Sequence, residues 1–368
     1  MSAHTPVAAM RDFVVVGAGP AGSRFARRAA AAGHDVLVFE QGEVGKPLAC
    51  SGHVSTDIWE FTPEGARERL LQNEIYGARF HTASGDDPYR FHKESVVSNV
   101  IDRVGLDRAL ADAAREAGAE LRENHTVVGV NEDRDGVTVE VRGPDGLETH
   151  RARMVAGCDG PTSRVRRELG LPEPDELLHG VLGFADEPDH EDFVDVHLTV
   201  PRFFAWRIPR GEAGVEYGLG VAADSADARE RFEAFTAAYG VETERRCSGL
   251  IPVGPPSRVT GRRSFLVGDA AAQTKPFTGG GIRYGMTAAD HAAREVDPKE
   301  PGTLGDYERA WRADLRREIR LGHAVRAAYS LPEPLQRAGM AVFEGEIGVH
   351  MDRPTSLFSR EQLRALLR

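Results

Sequence analysis

The run Asp12-Phe-Val-Val-Val16 followed by Gly17-Ala-Gly-Pro-Ala-Gly22 constrains this chain more than any other segment. A short β-branched apolar stretch reads as a strand, and glycines at this spacing turn it into a helix. Ala/Arg-rich Ser23–Ala32 supplies that helix, Asp35–Phe39 a second apolar strand, and Glu40 an acid at its end. Together these parts specify a βαβ unit that binds a dinucleotide. Gly17 makes the tight turn, Gly19 lets a pyrophosphate approach the backbone, and Gly22 lets helix and strand pack closely. N–H groups at the helix N-terminus bind the anion, and Glu40 stands where an acid receives a ribose hydroxyl.

Beyond that unit the chain is interleaved. Residues 41–60 are irregular and rich in Gly, Pro and Ser, while 75–101 alternate like sheet strands. Helical periodicity returns at Val104–Ala117, where Leu106, Leu110 and Ala113/Ala114 share a face and Gly118 supplies the stop. Strands are expected near 119–122, 125–131 and 136–142, with Asp135-Gly136 as a turn, and at Arg153–Ala156 before Gly157-Cys-Asp-Gly160. A second β-rich region covers 178–251, with strands near 178–185, 193–200, 203–208 and 215–222 and a helix at 226–239. Nucleotide-fold character resumes at Ser264–Asp269, a helix follows near 280–294, and from about 303 the chain is mainly helical. The expected division is a discontinuous nucleotide domain (11–45, 102–170 and 258–300), a substrate domain (46–101 and 171–257) and a C-terminal helical region (301–368).

Composition excludes several alternatives. Across 368 residues, 41% are hydrophobic and 28% charged, enough for a sizeable core. The net charge of −11 opposes non-specific nucleic-acid binding, which needs a basic face. Cys50, Cys158 and Cys247 are far apart and form no CxxC pair, and His53, His179 and His197 lack ligand spacing. Neither a disulfide framework nor a metal site is expected. No apolar run reaches the roughly 18 residues of a membrane span, and MSAHTPVAAM has no secretion-signal core. A cytoplasmic location is expected; the helix-prone Ile319–Leu331 reads as a packed terminal helix, with peripheral contact with a membrane as the alternative.

A second constellation bears on which dinucleotide is held. Phe265-Leu-Val-Gly-Asp-Ala270 delivers an acid from an apolar strand, and Pro276-Phe-Thr-Gly-Gly-Gly-Ile282 leads into a helix. Asp269 can accept bonds from ribityl hydroxyls, and N–H groups around Gly280 and Gly281 can stabilise negative charge on a reduced flavin ring. Nicotinamide enzymes do not need this late element; FAD enzymes do. Through GAGPAG, Gly157-Cys-Asp-Gly160 and Gly268-Asp269 the chain resembles the FAD-dependent oxidoreductases of the para-hydroxybenzoate hydroxylase type. That resemblance implies an α/β fold, an FAD-binding Rossmann-like domain with an inserted β-sheet substrate domain and a helical C-terminus. Lys46-Pro-Leu-Ala-Cys-Ser-Gly52 is similar to the cysteine loop of the geranylgeranyl reductase family. Pro201-Arg-Phe-Phe-Ala-Trp-Arg-Ile-Pro209 with Gly218-Leu-Gly220 is similar to that family's YxWxFP…GxG motif, although Phe204 and Ile208 replace its Tyr and Phe. Ser51 stands where the family usually has glycine.

The resemblance implies FAD contacts at Gly17, Ala18, Gly19, Ala21, Gly22, Glu40, Gln41, Cys50, Ser51, Arg103, Asp159, Asp269, Gly280, Gly281 and Ile282, with the Val127 backbone beside the adenine. It gives Cys50 a catalytic role, against a packing role for Cys158 and Cys247. It assigns a substrate tunnel to Phe204, Trp206, Pro209, Gly218 and Gly220, whose aromatics could equally serve as ordinary core. Thr162–Arg167 reads as a solvated helix start, with Arg164 in reach of the cofactor phosphates. The implied activity is FAD-dependent saturation of isolated C=C bonds in geranylgeranyl chains of archaeal-type ether lipids. A polyprenyl lipid substrate and an electron donor, NAD(P)H or a ferredoxin-like protein, are its partners, and nucleic acid is not. A monooxygenase or halogenase of the same fold, a menaquinone side-chain reductase and a non-catalytic lipid-binding flavoprotein stay open.

Overall fold

The computed structural model describes residues 10–47, 50–85, 87–225, 227–346 and 350–360. Its helices are α1 (Pro20–Ala31), α2 (Ala66–Leu70), α3 (Arg103–Glu116), α4 (Arg164–Glu168), α5 (Ala228–Ala238), α6 (Ile282–Glu295), α7 (Leu304–Ala328) and α8 (Glu333–Phe343).

Phe13–Val16 and Val36–Phe39 are buried on both faces, which is why they read as continuous apolar runs without alternation. They pair in parallel, Phe13 opposite Val36, and Arg11–Val16 also pairs with the far end of the long strand Gly146–Gly157. Strand Ser264–Leu266 joins that same strand in parallel, Val155 opposite Ser264. One seven-stranded sheet is therefore assembled from chain segments separated by more than a hundred residues. Its core joins Phe13, Phe25, Phe265 and Tyr307 in edge-to-face contacts of 5.2–6.3 Å. Tyr307 comes from α7, whose Trp311, Leu315 and Ile319 enter the same core, and its hydroxyl donates to the Leu266 carbonyl at 2.7 Å.

The second sheet has eight strands, in the order Arg245–Val253, Glu176–Ala185, Val215–Ala222, Ala205–Pro209, Phe193–His197, Gly77–His81, Tyr89–His92 and Gly345–Glu346. A small three-stranded sheet, His53–Ser55, Ser98–Ile101 and Leu71–Ile75, is a separate unit of the fold. The segment expected to be irregular, 41–60, thus holds a short strand and the 3₁₀ turn Thr56–Phe61. No helix among the described residues is long and apolar enough to cross a membrane.

Candidate active site

The glycine loop divides its labour. A Cβ at Gly17 would lie 2.5 Å from the Cys158 carbonyl oxygen, and one at Gly22 would lie 2.0 Å from the Gly17 carbonyl oxygen. Both glycines exist for close backbone approach. Gly19, at the N-cap of α1, faces no atom within 4 Å and opens onto a cavity of about 470 Å³. Glu40 accepts from the Ala18 N–H at 2.8 Å and the Gly42 N–H at 3.3 Å. Burial raises its pKa above the usual carboxylate value, and those N–H bonds work the other way.

Across the cavity, the turn Gly268–Ala271 presents Asp269 at the N-terminus of α6, where a Cβ on Gly281 would meet Asp269 Oδ1 at 2.4 Å. Burial pushes this carboxyl up to about 6, only partly relieved by the Arg103 guanidinium. Arg103 opens α3, holds Asp107 through Nη1 and Nη2 at 2.7 and 3.2 Å, and leaves Nε buried without a hydrogen bond. Its burial disfavours charge, yet Asp107 and the Cys50 sulfur overcome this and the guanidinium pKa rises. An open glycine N-terminus, a carboxylate with no hydrogen bond from the described residues and an orphaned guanidinium N–H suit a diphosphate dinucleotide with a polyhydroxy linker. The residues fit FAD.

Cys50 and Ser51 lie on the wall between these loops and the second sheet. Leu48 and Ala49 of the same loop lie outside the described residues. His53 lines the wall too; its ring accepts from or donates to Ser98 Oγ at 2.6 Å, and burial with Lys275 nearby lowers its pKa to about 4. The imidazole is neutral at ordinary pH.

Beyond Cys50 the cavity turns apolar, walled by Leu182, Val194, Val196, Phe204, Trp206 and Ile208. Trp206 is anchored from behind, its Nε1–H donating to the fully buried Glu216 at 2.9 Å. Glu216 in turn accepts from Arg210 at 3.0 Å, and burial raises its pKa against that pull. Arg210 also donates to the carbonyls of Ser51 and Ile101 and to Gln72. Neither Arg210 nor Glu216 was singled out in the sequence; charges flanking the aromatic strand were the available signal.

Of the residues expected at the site, Gly19, Ala21, Cys50, Ser51, Arg103, Asp269, Gly280, Gly281, Ile282, Phe204 and Trp206 share this one cavity wall. Gly218 and Gly220 do not line it: a Cβ there would lie 2.4 Å from the rings of Trp206, which does line it, and of Phe203, which stacks on the lining Phe204, so both glycines make room for the aromatic wall. Pro209 sits behind the wall, its carbonyl accepting from Asn73. Asp159 turns away to accept from Ser163 Oγ and the Arg164 and Val165 N–H groups, which caps α4. Gln41 and Val127 also lie off the wall. The Thr162–Arg167 stretch is not simply solvated, because Arg166 is buried and donates to the Ala270 and Pro161 carbonyls, bracing the Asp269 turn. Arg164 is engaged with Glu168 and the Val128 carbonyl rather than the cavity.

One dinucleotide unit, an acid-bearing turn facing it and an apolar chamber beyond define an FAD-dependent oxidoreductase, and residues 10–238 match the family described as FAD binding domain. The chain is 33% identical over 349 residues to digeranylgeranylglycerophospholipid reductase 1 of Methanopyrus kandleri, covering 88% of this chain and 91% of that one. It belongs to the geranylgeranyl reductase family. Identity to the digeranylgeranylglycerophospholipid reductase of Methanothrix thermoacetophila is 30% over 342 residues, 84% of each chain. A geranylgeranyl bacteriochlorophyll reductase-like structure from Thermoplasma acidophilum superimposes with a TM-score of 0.85 at 23% identity, over 97% of this chain and 98% of that one. A p-nitrophenol 4-monooxygenase from Pseudomonas putida reaches 0.73 at 20% identity, over 97% and 96%. These last two likenesses are likenesses of fold.

Proposed function

We propose that this protein reduces isolated C=C bonds in the geranylgeranyl chains of an ether-linked glycerophospholipid. The observation that carries this reading is the continuity of one cavity from the nucleotide loops, past Cys50, into the apolar chamber around Phe204 and Trp206. Bound FAD, once reduced, supplies a hydride and with it the electron pair. The protein's own share is positioning, because an isolated alkene offers no carbonyl to polarise. Each chain methylene taken from water by the Phe204–Trp206–Ile208 wall contributes about 0.8 kcal/mol to holding the polyprenyl in place. The saturated product also needs a proton on the second alkene carbon, and the Cys50 thiol, at the junction of the polar and apolar walls, is our candidate donor.

The described residues contain a single dinucleotide-type βαβ unit, so NAD(P)H or a ferredoxin-like donor would visit rather than reside. We assign contact with the bilayer surface to α8. Its Leu335, Val342 and Phe343 are exposed, Met340 packs on the core that holds Phe204 and Trp206, and exposed Arg316, Arg317 and Arg320 precede it on α7. Sedimentation with phosphatidylglycerol vesicles should be lost in a Leu335→Ser/Val342→Ser/Phe343→Ser variant; unchanged sedimentation removes α8 from this role.

The test of the reaction is anaerobic. FAD-loaded protein, chemically reduced and given a geranylgeranylated ether phospholipid, should raise product mass in steps of two hydrogens. Unchanged mass, with flavin that reoxidises only in air, would replace this reading with oxygen chemistry. Cys50→Ala should keep FAD and lose product.

A further inference from the structure

We infer that the polar end of the cavity is a phosphate subsite, closed in the free protein by the chain's own Asp352. Lys275 and Arg283 arrive from different segments, the turn before α6 and α6 itself, and converge on one carboxylate. Lys275 Nζ binds Asp352 Oδ1, and Arg283 Nε lies 3.5 Å from Asp352 Oδ2. Asp352 is 1% exposed and Lys275 5%. The pairing is incomplete. Arg283 Nε and Nη1 and Asp352 Oδ2 are all buried without hydrogen bonds, the approach of Nε to Oδ2 being an ion pair only. A carboxylate offers two coplanar oxygens to donors arriving from two directions, whereas a phosphate offers several oxygens in a tetrahedral array and more charge.

The carboxylate is delivered from the far end of the chain. Residues 350–358 form a strap tied to α7 by Thr355, whose N–H and Oγ1 donate to Glu318 at 3.0 and 2.6 Å, and to α6 by the Tyr284 hydroxyl, which donates to the Asp352 carbonyl at 2.8 Å. Asp57 takes the remaining Arg283 contact at 3.1 Å and faces His350 at 3.3 Å, so Asp352 is the anion that balances Lys275. A buried Lys275 without that anion would be costly, which explains why Asp352 occupies the place. Lys275, Arg283 and Asp352 line the same cavity as Phe204 and Trp206, so a phosphate held there leaves attached chains facing the apolar chamber. Assigning that phosphate to the lipid headgroup rests on the proposed function; binding of phosphate itself does not.

The test uses FAD-loaded protein and calorimetric titration with inorganic phosphate. Asp352→Asn and Asp352→Ser should each bind phosphate about tenfold more tightly, as expected when a competitor that fills a site nine-tenths of the time is removed. A Lys275→Met/Arg283→Met variant should lose binding. Unchanged affinity in whichever Asp352 variant folds, or undiminished affinity in the double variant, overturns the subsite. A second arm compares KM for the phosphorylated ether lipid with that for its phosphate-free glycerol form. A preference for the phosphorylated lipid that the double variant loses identifies the headgroup as the occupant. Equal KM values, with phosphate binding still tightened by Asp352→Asn, assign the subsite to free phosphate. Tightened phosphate binding with neither lipid reduced leaves the subsite standing and removes the reductase reading.

Discussion

A carboxyl group buried without a donor of its own, as Asp269 is, holds its proton to about pH 6. Hydroxyls of a bound FAD linker donate to its ionised form, so binding favours the deprotonated state. FAD affinity should therefore rise with pH through about 6 and weaken below it, and a fluorescence titration of apoprotein across that range measures this. Asp269→Asn should flatten the profile and cost about 1.5–3 kcal/mol of FAD binding, the worth of a hydrogen bond to a charged group. Gly218 makes a different kind of statement. A methyl group there would overlap the Trp206 indole, with its nearest ring atom at 2.4 Å. Gly218→Ala should destabilise the fold by about 1–3 kcal/mol, and the displaced ring should shift the tryptophan emission. The parts played by Gly17, Gly19 and Gly22 were legible in the sequence, whereas Gly218 and Gly220, expected in the substrate tunnel, stand behind it. Gly17, Gly22, Gly218 and Gly220 serve packing, while Gly19 alone of the fingerprint glycines faces open space.

Among the elements, strand Phe193–His197 carries an instructive device. His197 stacks on His81 from the neighbouring strand, with ring centroids 4.2 Å apart, and pairs with the Tyr239 hydroxyl at 2.7 Å. Burial, reinforced by His81, lowers the His197 pKa to about 4. The unfolded chain takes up a proton near the ordinary histidine value of about 6.5, and the native state does not. This contribution to stability is complete above about pH 6.5 and is lost as pH falls toward 4. Chemical denaturation at intervals across that window should show a steeper decline for the wild type than for His197→Phe. Unbroken apolar runs revealed the buried parallel strands, and helical periodicity revealed the long helices. Arg245–Val253 escaped notice because it is an edge strand that opens with two exposed arginines, a composition that keeps edges from pairing further. Asp159 caps α4, a task that asks for the same side chain in the same kind of turn as a ligand contact.

At the scale of the molecule, Arg210 links parts that sequence distance hides. Its guanidinium reaches Glu216 within the large sheet, Ile101 in the small one, and Ser51 beside Cys50. Such a convergence has no local signature, so this half of the site could not be read from the chain. Glu216→Leu would strand the buried cation and should lower stability by about 3–5 kcal/mol in denaturant melts. Adding Arg210→Met should restore much of that loss while freeing the Cys50 loop, which faster alkylation of Cys50 would reveal. The return of strand Ser264–Leu266 to the sheet begun by Arg11–Val16 also has a consequence for how the protein is made. A ribosome delivers the glycine loop first and the Asp269 turn only after more than two-thirds of the chain has been translated. Until then the nascent polypeptide offers one wall of a two-walled pocket, so flavin capture becomes a late event in synthesis, and any fragment ending before residue 264 should emerge colourless.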